Sequence, residues 1–195
     1  ETGQYLVALT QMTYPGAPTI YYGDEIGMVG ADDPDDRRAM EWGKGSKDLV
    51  EWYAKLGAIR NAYPVLRTGG IEPFTVMDGT EVDDHLMGYL RTMNDEFACV
   101  VLNNASEDAI RQIEVPEGAA KVTDVISGKE YIVGADGTCE VSVPAFRGVV
   151  LIPSEQVKEV NVNYEALKPA YDSSYIVEDS DVVLVKDIFL SLIHI

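Results

Sequence analysis

Apolar side chains recur at helical spacing from the start of the chain. Tyr5, Leu6, Leu9 and Met12 fall on one stripe, with Thr2 available as an N-cap. A Pro/Gly turn at Tyr14-Pro15-Gly16-Ala17-Pro18 then leads into Thr19–Tyr22, a run of β-branched and aromatic residues that leaves through polar Gly23-Asp24-Glu25. That pattern predicts a short buried strand. Residues 27–45 are rich in Gly, Asp and Pro and show no period, and a loop of that length is usually functional or disordered. The helical stripe returns with Leu49, Trp52, Tyr53, Leu56 and Ile59, predicting a second helix over Lys47–Asn61 with Ser46 as N-cap. It ends before Pro64, because the residue preceding a proline avoids the helical region.

The periodicity then changes. His85–Arg91, Phe97–Asn103, Ala109–Val115, Lys121–Asp124, Glu130–Val133, Glu140–Val143 and Gly148–Ile152 each read as a short strand. Turn signals such as Met93-Asn94-Asp95, Pro116-Glu117-Gly118 and Ala135-Asp136-Gly137 separate them, which predicts an antiparallel sandwich. Residues 154–181 are acidic and mixed. Val157, Val160 and Val162 offer a last packed segment in what reads as a linker wrapping the sandwich. The closing Ile188-Phe189-Leu190-Ser191-Leu192-Ile193-His194-Ile195 is abruptly apolar and resembles a translated sequencing-adapter read-through; an authentic further strand is the alternative. No internal repeat is present.

Charge narrows the partners. With 33 acidic against 15 basic residues and a net charge of −18, the chain repels phosphate backbones and anionic lipid heads, so neither nucleic acid nor a membrane surface is expected. Neutral sugars are indifferent to that field. No apolar run is long enough to span a bilayer. Cys99 and Cys139 lie in strand-like apolar contexts without metal-ligand spacing and are expected as buried free thiols, with one structural disulfide as the alternative. The compartment stays open, with the cytoplasm favoured, and so does the oligomeric state. Glu1 is not an initiator Met and sits inside a helical pattern, so the chain is expected to begin within a longer protein.

Two acidic clusters are candidates for chemistry. Asp24 and Glu25 resemble a paired acid and base, but neighbours on a continuing strand point to opposite faces, and they are expected to brace backbone. Asp32-Asp33-Pro34-Asp35-Asp36-Arg37-Arg38 lacks the alternating ligand order of a calcium loop. It is either a solvated acidic loop neutralised by its own arginines or an Asp/Arg fork for sugar hydroxyls. His85 stands beside Asp83 and Asp84, yet no nucleophile elbow completes a triad. No phosphate loop, dinucleotide fingerprint or zinc spacing occurs.

Gly16-Ala17-Pro18-Thr19-Ile20-Tyr21-Tyr22-Gly23-Asp24-Glu25-Ile26-Gly27 resembles the eighth barrel strand of the α-amylase family of glycoside hydrolases, whose pattern is Gly-x-Pro-x-Ile-Tyr-Tyr-Gly-Asp-Glu-Ile-Gly. Asp33-Pro34-Asp35-Asp36-Arg37-Arg38-Ala39-Met40-Glu41-Trp42 is similar to the Asp-Pro-x-x-Arg loop of its cyclomaltodextrinase, neopullulanase and cyclodextrin glycosyltransferase members. Arg60-Asn61-Ala62-Tyr63-Pro64-Val65-Leu66-Arg67 is similar to the family's last barrel helix. Weaker likenesses to its C-terminal β-domain follow in order at Leu90-Arg91 through Asn104, at Val122–Tyr131 and at Pro144–Ile152.

The resemblance implies an α/β part, residues 1–68, forming the last helix–strand–helix of a (β/α)8 TIM barrel. An antiparallel β-sandwich over residues 69–153 and an acidic tail or linker over 154–195 would follow. It implies a retaining α-glucan hydrolase or transglycosylase acting on starch-like oligosaccharides or cyclodextrins through a nucleophilic Asp, a proton-donating Glu and a second, stabilising Asp. Those three belong to barrel strands four, five and seven, upstream of Glu1, so no residue here is expected to be catalytic and the chain alone is expected to be inert. Asp33 and Arg37 become donor-side contacts to an α-glucan or maltooligosaccharide, and Trp42 is a packing anchor or a stacking face. No cofactor is expected in this chain, whereas calcium remains open for the longer protein. The alternative is a non-catalytic amylase-like subunit or a carbohydrate-binding β-module.

Overall fold

The computed structural model describes residues 2–175, among which eight strands and four α-helices form. The described part of the apolar terminus is nil, so the expectations for residues 188–195 and for His194 lie outside these residues. The chain divides into two compact units: residues 18–58 with 160–175, and residues 2–17 with 59–159.

The larger unit is built on an antiparallel six-stranded sheet in the order β1-β2-β3-β8-β5-β6. Its strands are β1 (Gly70–Asp78), β2 (Glu81–Met93), β3 (Glu96–Asn103), β5 (Lys121–Asp124), β6 (Glu130–Ile132) and β8 (Gly148–Pro153). A second, two-stranded sheet pairs β4 (Ala109–Glu114) with β7 (Thr138–Val143). One core joins the two sheets: Cys99, Val101, Val122, Val149 and Leu151 meet Ile113, Cys139, Val141 and Val143. Both cysteines are free and buried there. Burial pushes the Cys139 thiol up to about 11 and Cys99 higher still, which makes both poor nucleophiles.

The other face of the large sheet carries α1 (Thr2–Thr13) and the short α3 (Pro64–Thr68). Gly148 allows that approach, since a Cβ there would stand 2.4 Å from the Val101 carbonyl oxygen and 2.9 Å from a Leu9 methyl. Cover on both faces explains why β3 and β8 read as continuous apolar runs, while β4 and β7 alternate. β1 escapes sequence recognition for the opposite reason. It is an edge strand containing Pro73, and Val76 is its one fully buried side chain.

Two buried arginines tie the helices to the sheet. Arg60, in the last turns of α2 (Lys47–Ala62), donates to the carbonyls of Met12, Tyr14, Gly16 and Leu66. Arg91 of β2 donates to those of Thr13, Leu66, Gly69 and Gly70. The Met12 and Thr13 carbonyls, left without helical partners at the C-terminal end of α1, are thereby satisfied, where negative partial charge favours a cation.

The smaller unit packs Ile26, Val50 and Ala54 against Leu167 and Ala170, with Met28, Met40, Val162 and Tyr171 at its margin. Residues 160–175, expected as a linker, instead carry a 3₁₀ turn (Tyr164–Leu167) and the short helix α4 (Lys168–Tyr171). The amides of Gly43 and Gly45 donate to Pro169 and Ala170.

One expected element fails to form. Thr19–Tyr22 has no regular structure and pairs with no strand among the described residues. A strand needs a neighbour to take its N–H and C=O groups, and propensity cannot supply one. Nor is the segment buried, since Tyr21 is 54% and Tyr22 43% exposed.

Candidate functional site

The loop from Gly27 to Gly45 is braced by its own charges. Asp35 opens a 3₁₀ turn, Asp35–Arg37, directly after the cis Asp33–Pro34 peptide. Its carboxylate accepts two bonds from the Arg38 guanidinium, at 2.7 and 2.6 Å, and one from the Ala31 amide at 2.8 Å. The hydrogen bond from Arg38, and then that from Ala31, hold the Asp35 carboxyl below the usual range. Gly30 is required here, because a Cβ would come within 2.9 Å of the Asp36 Cα. The Tyr22 phenol donates to the Arg38 carbonyl at 2.9 Å and pins the far end of the turn.

On this braced turn Asp33 and Arg37 stand together, Arg37 Nη2 lying 2.5 Å from Asp33 Oδ2, with side chains 59% and 65% exposed. This exposed ion pair is common to both expectations for the loop: its carboxylates are neutralised by its own arginines, and acceptor oxygens and guanidinium donors stand side by side, open to water. An exposed pair contributes little to folding. Asp33→Ala and Arg37→Ala are therefore expected to shift Tm by less than about 2 °C. A larger drop in a thermal melt would make the pair a folding element instead.

Asp24 and Glu25 do not continue a strand but begin a 3₁₀ turn, Asp24–Ile26. Glu25 is buried and accepts the Gly23 amide at 2.9 Å, so it braces backbone. Burial raises its pKa, against the lowering effect of the backbone hydrogen bonds. Tyr53 is pushed up to about 12, mainly by burial and further by Asp24 and Glu25.

Near His85, the Asp83 carboxylate is taken by the His85 backbone amide at 2.9 Å and by Arg111, so it does not complete a triad. Trp42 is half-buried. Among the described residues, no group of three or more His, Cys, Asp or Glu side chains converges on a metal position, and no helix is long and apolar enough to cross a membrane.

Two features of the site escaped the sequence pattern. Tyr21 and Tyr22, expected inside a strand, form an exposed tilted pair with ring centroids 4.8 Å apart. The second is the particular pairing of Arg38 with Asp35: neutralisation by the loop's own arginines was expected, but not which carboxylate each would take, although their i, i+3 spacing on a turn was a usable signal.

No protein-family model matches the chain. Individual proteins do. It is 36% identical over 149 residues to neopullulanase 2 of Thermoactinomyces vulgaris, covering 75% of this chain and 25% of that protein. It is 35% identical over 152 residues to a cyclomaltodextrinase of Geobacillus thermopakistaniensis, covering 77% of this chain and 25% of the other. The chain thus spans about a quarter of the length of these relatives. Among solved structures, an Anoxybacillus α-amylase superposes with a TM-score of 0.67 at 26% identity, over 77% of this chain and 32% of that one. Over the three-quarters of its length that these matches cover, the chain belongs to the α-amylase family of glycoside hydrolases.

Proposed function

We propose that this chain forms part of a retaining α-glucan hydrolase or transglycosylase acting on starch-like oligosaccharides or cyclodextrins. In that enzyme residues 1–68 complete the end of a (β/α)8 barrel, and residues 69–153 form the β-domain that follows it. The catalytic Asp, Glu and Asp belong to barrel strands outside this sequence, so the 195-residue chain by itself hydrolyses nothing. The carrying observation is the exposed Asp33–Arg37 fork on a braced loop, in a chain similar to a neopullulanase and a cyclomaltodextrinase.

Asp33 accepts hydrogen bonds from sugar hydroxyls and Arg37 donates to their oxygens, on the donor side of the scissile bond. Because the two groups are already solvated and gain little from each other, exchanging water for hydroxyls costs them little. Their distance from the cleaved bond makes them a determinant of chain length. In the full-length enzyme, Asp33→Ala and Arg37→Ala are expected to lower kcat/KM on maltohexaose about tenfold while changing it less than twofold on maltotriose, the loss of one or two charge-assisted hydrogen bonds. Equal losses on both substrates would remove the distal donor-side role.

The proposal as a whole is tested by recovering the coding region upstream of Glu1 and assaying the complete protein on cyclodextrin, pullulan and starch. An intact Asp/Glu/Asp set with α-glucan cleavage supports it. A barrel in which those carboxylates are replaced would make the protein a non-catalytic amylase-like subunit.

A further inference from the structure

The Gly27–Gly45 loop is closed at its base, where the Ser46 amide donates to the Ile26 carbonyl at 3.3 Å. Its first leg carries the Asp35–Arg38 brace. The second leg, residues 39–45, forms neither helix nor strand, and backbone of that kind must find hydrogen-bond partners elsewhere. It finds two of them in the segment that follows the β-domain. The Gly43 amide donates to the Pro169 carbonyl at 2.9 Å, and the Gly45 amide to that of Ala170 at 3.0 Å. The approach is close: a Cβ on Gly45 would stand 2.8 Å from the Ala170 carbonyl oxygen.

That segment is shaped for the contact by its own sequence. Asn163 caps the 3₁₀ turn by accepting the Ala166 amide, Lys168 pairs with Glu165, and Pro169 sits in the first turn of α4, where a missing N–H costs nothing. Leu167, Ala170 and Tyr171 follow at i, i+3 and i+4 and so share one side. Leu167 is 5% and Ala170 1% exposed, both packed with Ile26, Val50 and Ala54, and Met28 and Met40 of the loop itself join the same cluster. The Pro169 and Ala170 carbonyls belong to a helix too short to satisfy them, so the bonds from Gly43 and Gly45 serve both partners. Residues 160–175 add no strand to either sheet. What they add is a cover for the base of the loop and two anchors for its second leg.

We propose that residues 160–175 are a C-terminal strap that fixes the second leg of this loop and thereby the direction in which Asp33 and Arg37 are presented. The consequence for substrate rests on the donor-side role proposed above for those two residues, whereas the holding of the loop does not. Leu167 and Ala170 are positioning residues that act through the loop.

Hydrogen exchange of the full-length enzyme, with and without residues 160–175, tests the strap directly. Deletion is expected to speed exchange of the Gly43 and Gly45 amides about tenfold or more, while amides of β4 and β7 stay within about twofold. Unchanged exchange at both glycines overturns the proposal. Uniform acceleration also overturns it, by making the segment a general stabiliser. Should the deletion fail to fold, Leu167→Ala decides. It keeps the chain continuous and is expected to speed the same two amides, and no change there overturns the proposal. Kinetics separate the strap from the sugar contacts it serves. Leu167→Ala is expected to lower kcat/KM on maltohexaose about threefold, and to have no further effect once Asp33 is replaced by alanine. If Asp33→Ala lowers that value and Leu167→Ala does not, the strap does not set the Asp33–Arg37 pair and the proposal fails. If Asp33→Ala is itself without effect, the donor-side reading fails, and exchange at Gly43 and Gly45 alone decides the strap.

Discussion

Replacing Arg91 by alanine is expected to destabilise the larger unit by about 3 kcal/mol, a large share of the stability of any domain. Arg91 is fully buried, and its guanidinium serves the carbonyls of Thr13, Leu66, Gly69 and Gly70. Leu66 keeps a donor in Arg60, but the other three lose theirs, at roughly 1 kcal/mol each. The cavity left by the side chain adds to this cost. Relief of repulsion opposes it: Arg60 and Arg91 are like charges with no carboxylate between their bonded partners, and burial lowers the pKa of each, Arg91 lowering that of Arg60 further. The balance favours loss, because the freed Thr13 carbonyl stays buried whereas the repulsion is already spread over eight carbonyl bonds. Lysine is expected to recover only part of the stability, since a single ammonium cannot reach four acceptors in a fork. Urea unfolding followed by far-ultraviolet dichroism measures the difference, and a loss below about 1 kcal/mol would show that water replaces the guanidinium.

Asp124→Ala is expected to cost about 2–4 kcal/mol through a different mechanism. This buried carboxylate closes the β5–β6 hairpin onto β8. Oδ1 accepts the amides of Ile126 and Val150, and Oδ2 accepts the amide and the hydroxyl of Ser127. Alanine leaves the buried Val150 amide without an acceptor, while the Ile126 and Ser127 donors, nearer the surface, can turn to water. Asparagine keeps one acceptor oxygen and should fall between alanine and the unmodified chain. Hydrogen exchange locates the effect: faster exchange at Val150, Ile126 and Ser127 with little change at β4 and β7 is the expected signature. Uniform acceleration throughout the unit would mean that Asp124 supports global stability and not a local clasp.

Much of this fold is legible along the chain because a local period is enough to specify it. Strands β2 to β8 are visible as short apolar runs cut by Gly, Asn, Asp and Pro. Helix α2 is visible from Leu49, Trp52, Tyr53, Leu56 and Ile59 on one stripe. The turn at Gly134–Gly137 is likewise local, the Gly134 amide bonding Thr138 and the Gly137 amide bonding Gly134. The Asp33–Arg37 ion pair was legible for the same reason, as part of a loop neutralised by its own arginines, since four residues on one turn suffice to bring the side chains together.

Features that depend on distant segments were not legible. Thr19–Tyr22 has every local mark of a strand, yet among the described residues no segment lies alongside to complete a ladder, so its tyrosines form an open pair instead. β1, with Pro73 and little burial, lacks those marks and becomes a strand because β2 templates it from Gly70↔Thr92 to Asp78↔Glu81. Arg60 and Arg91 look like surface charges in a list of residue types. Their role appears only when α1, α3 and β2 bring eight carbonyl bonds around two guanidiniums. The division follows from physics: side-chain period and turn propensity are short-range properties of the chain, whereas partners for backbone groups and buried charges are supplied by residues tens of positions away.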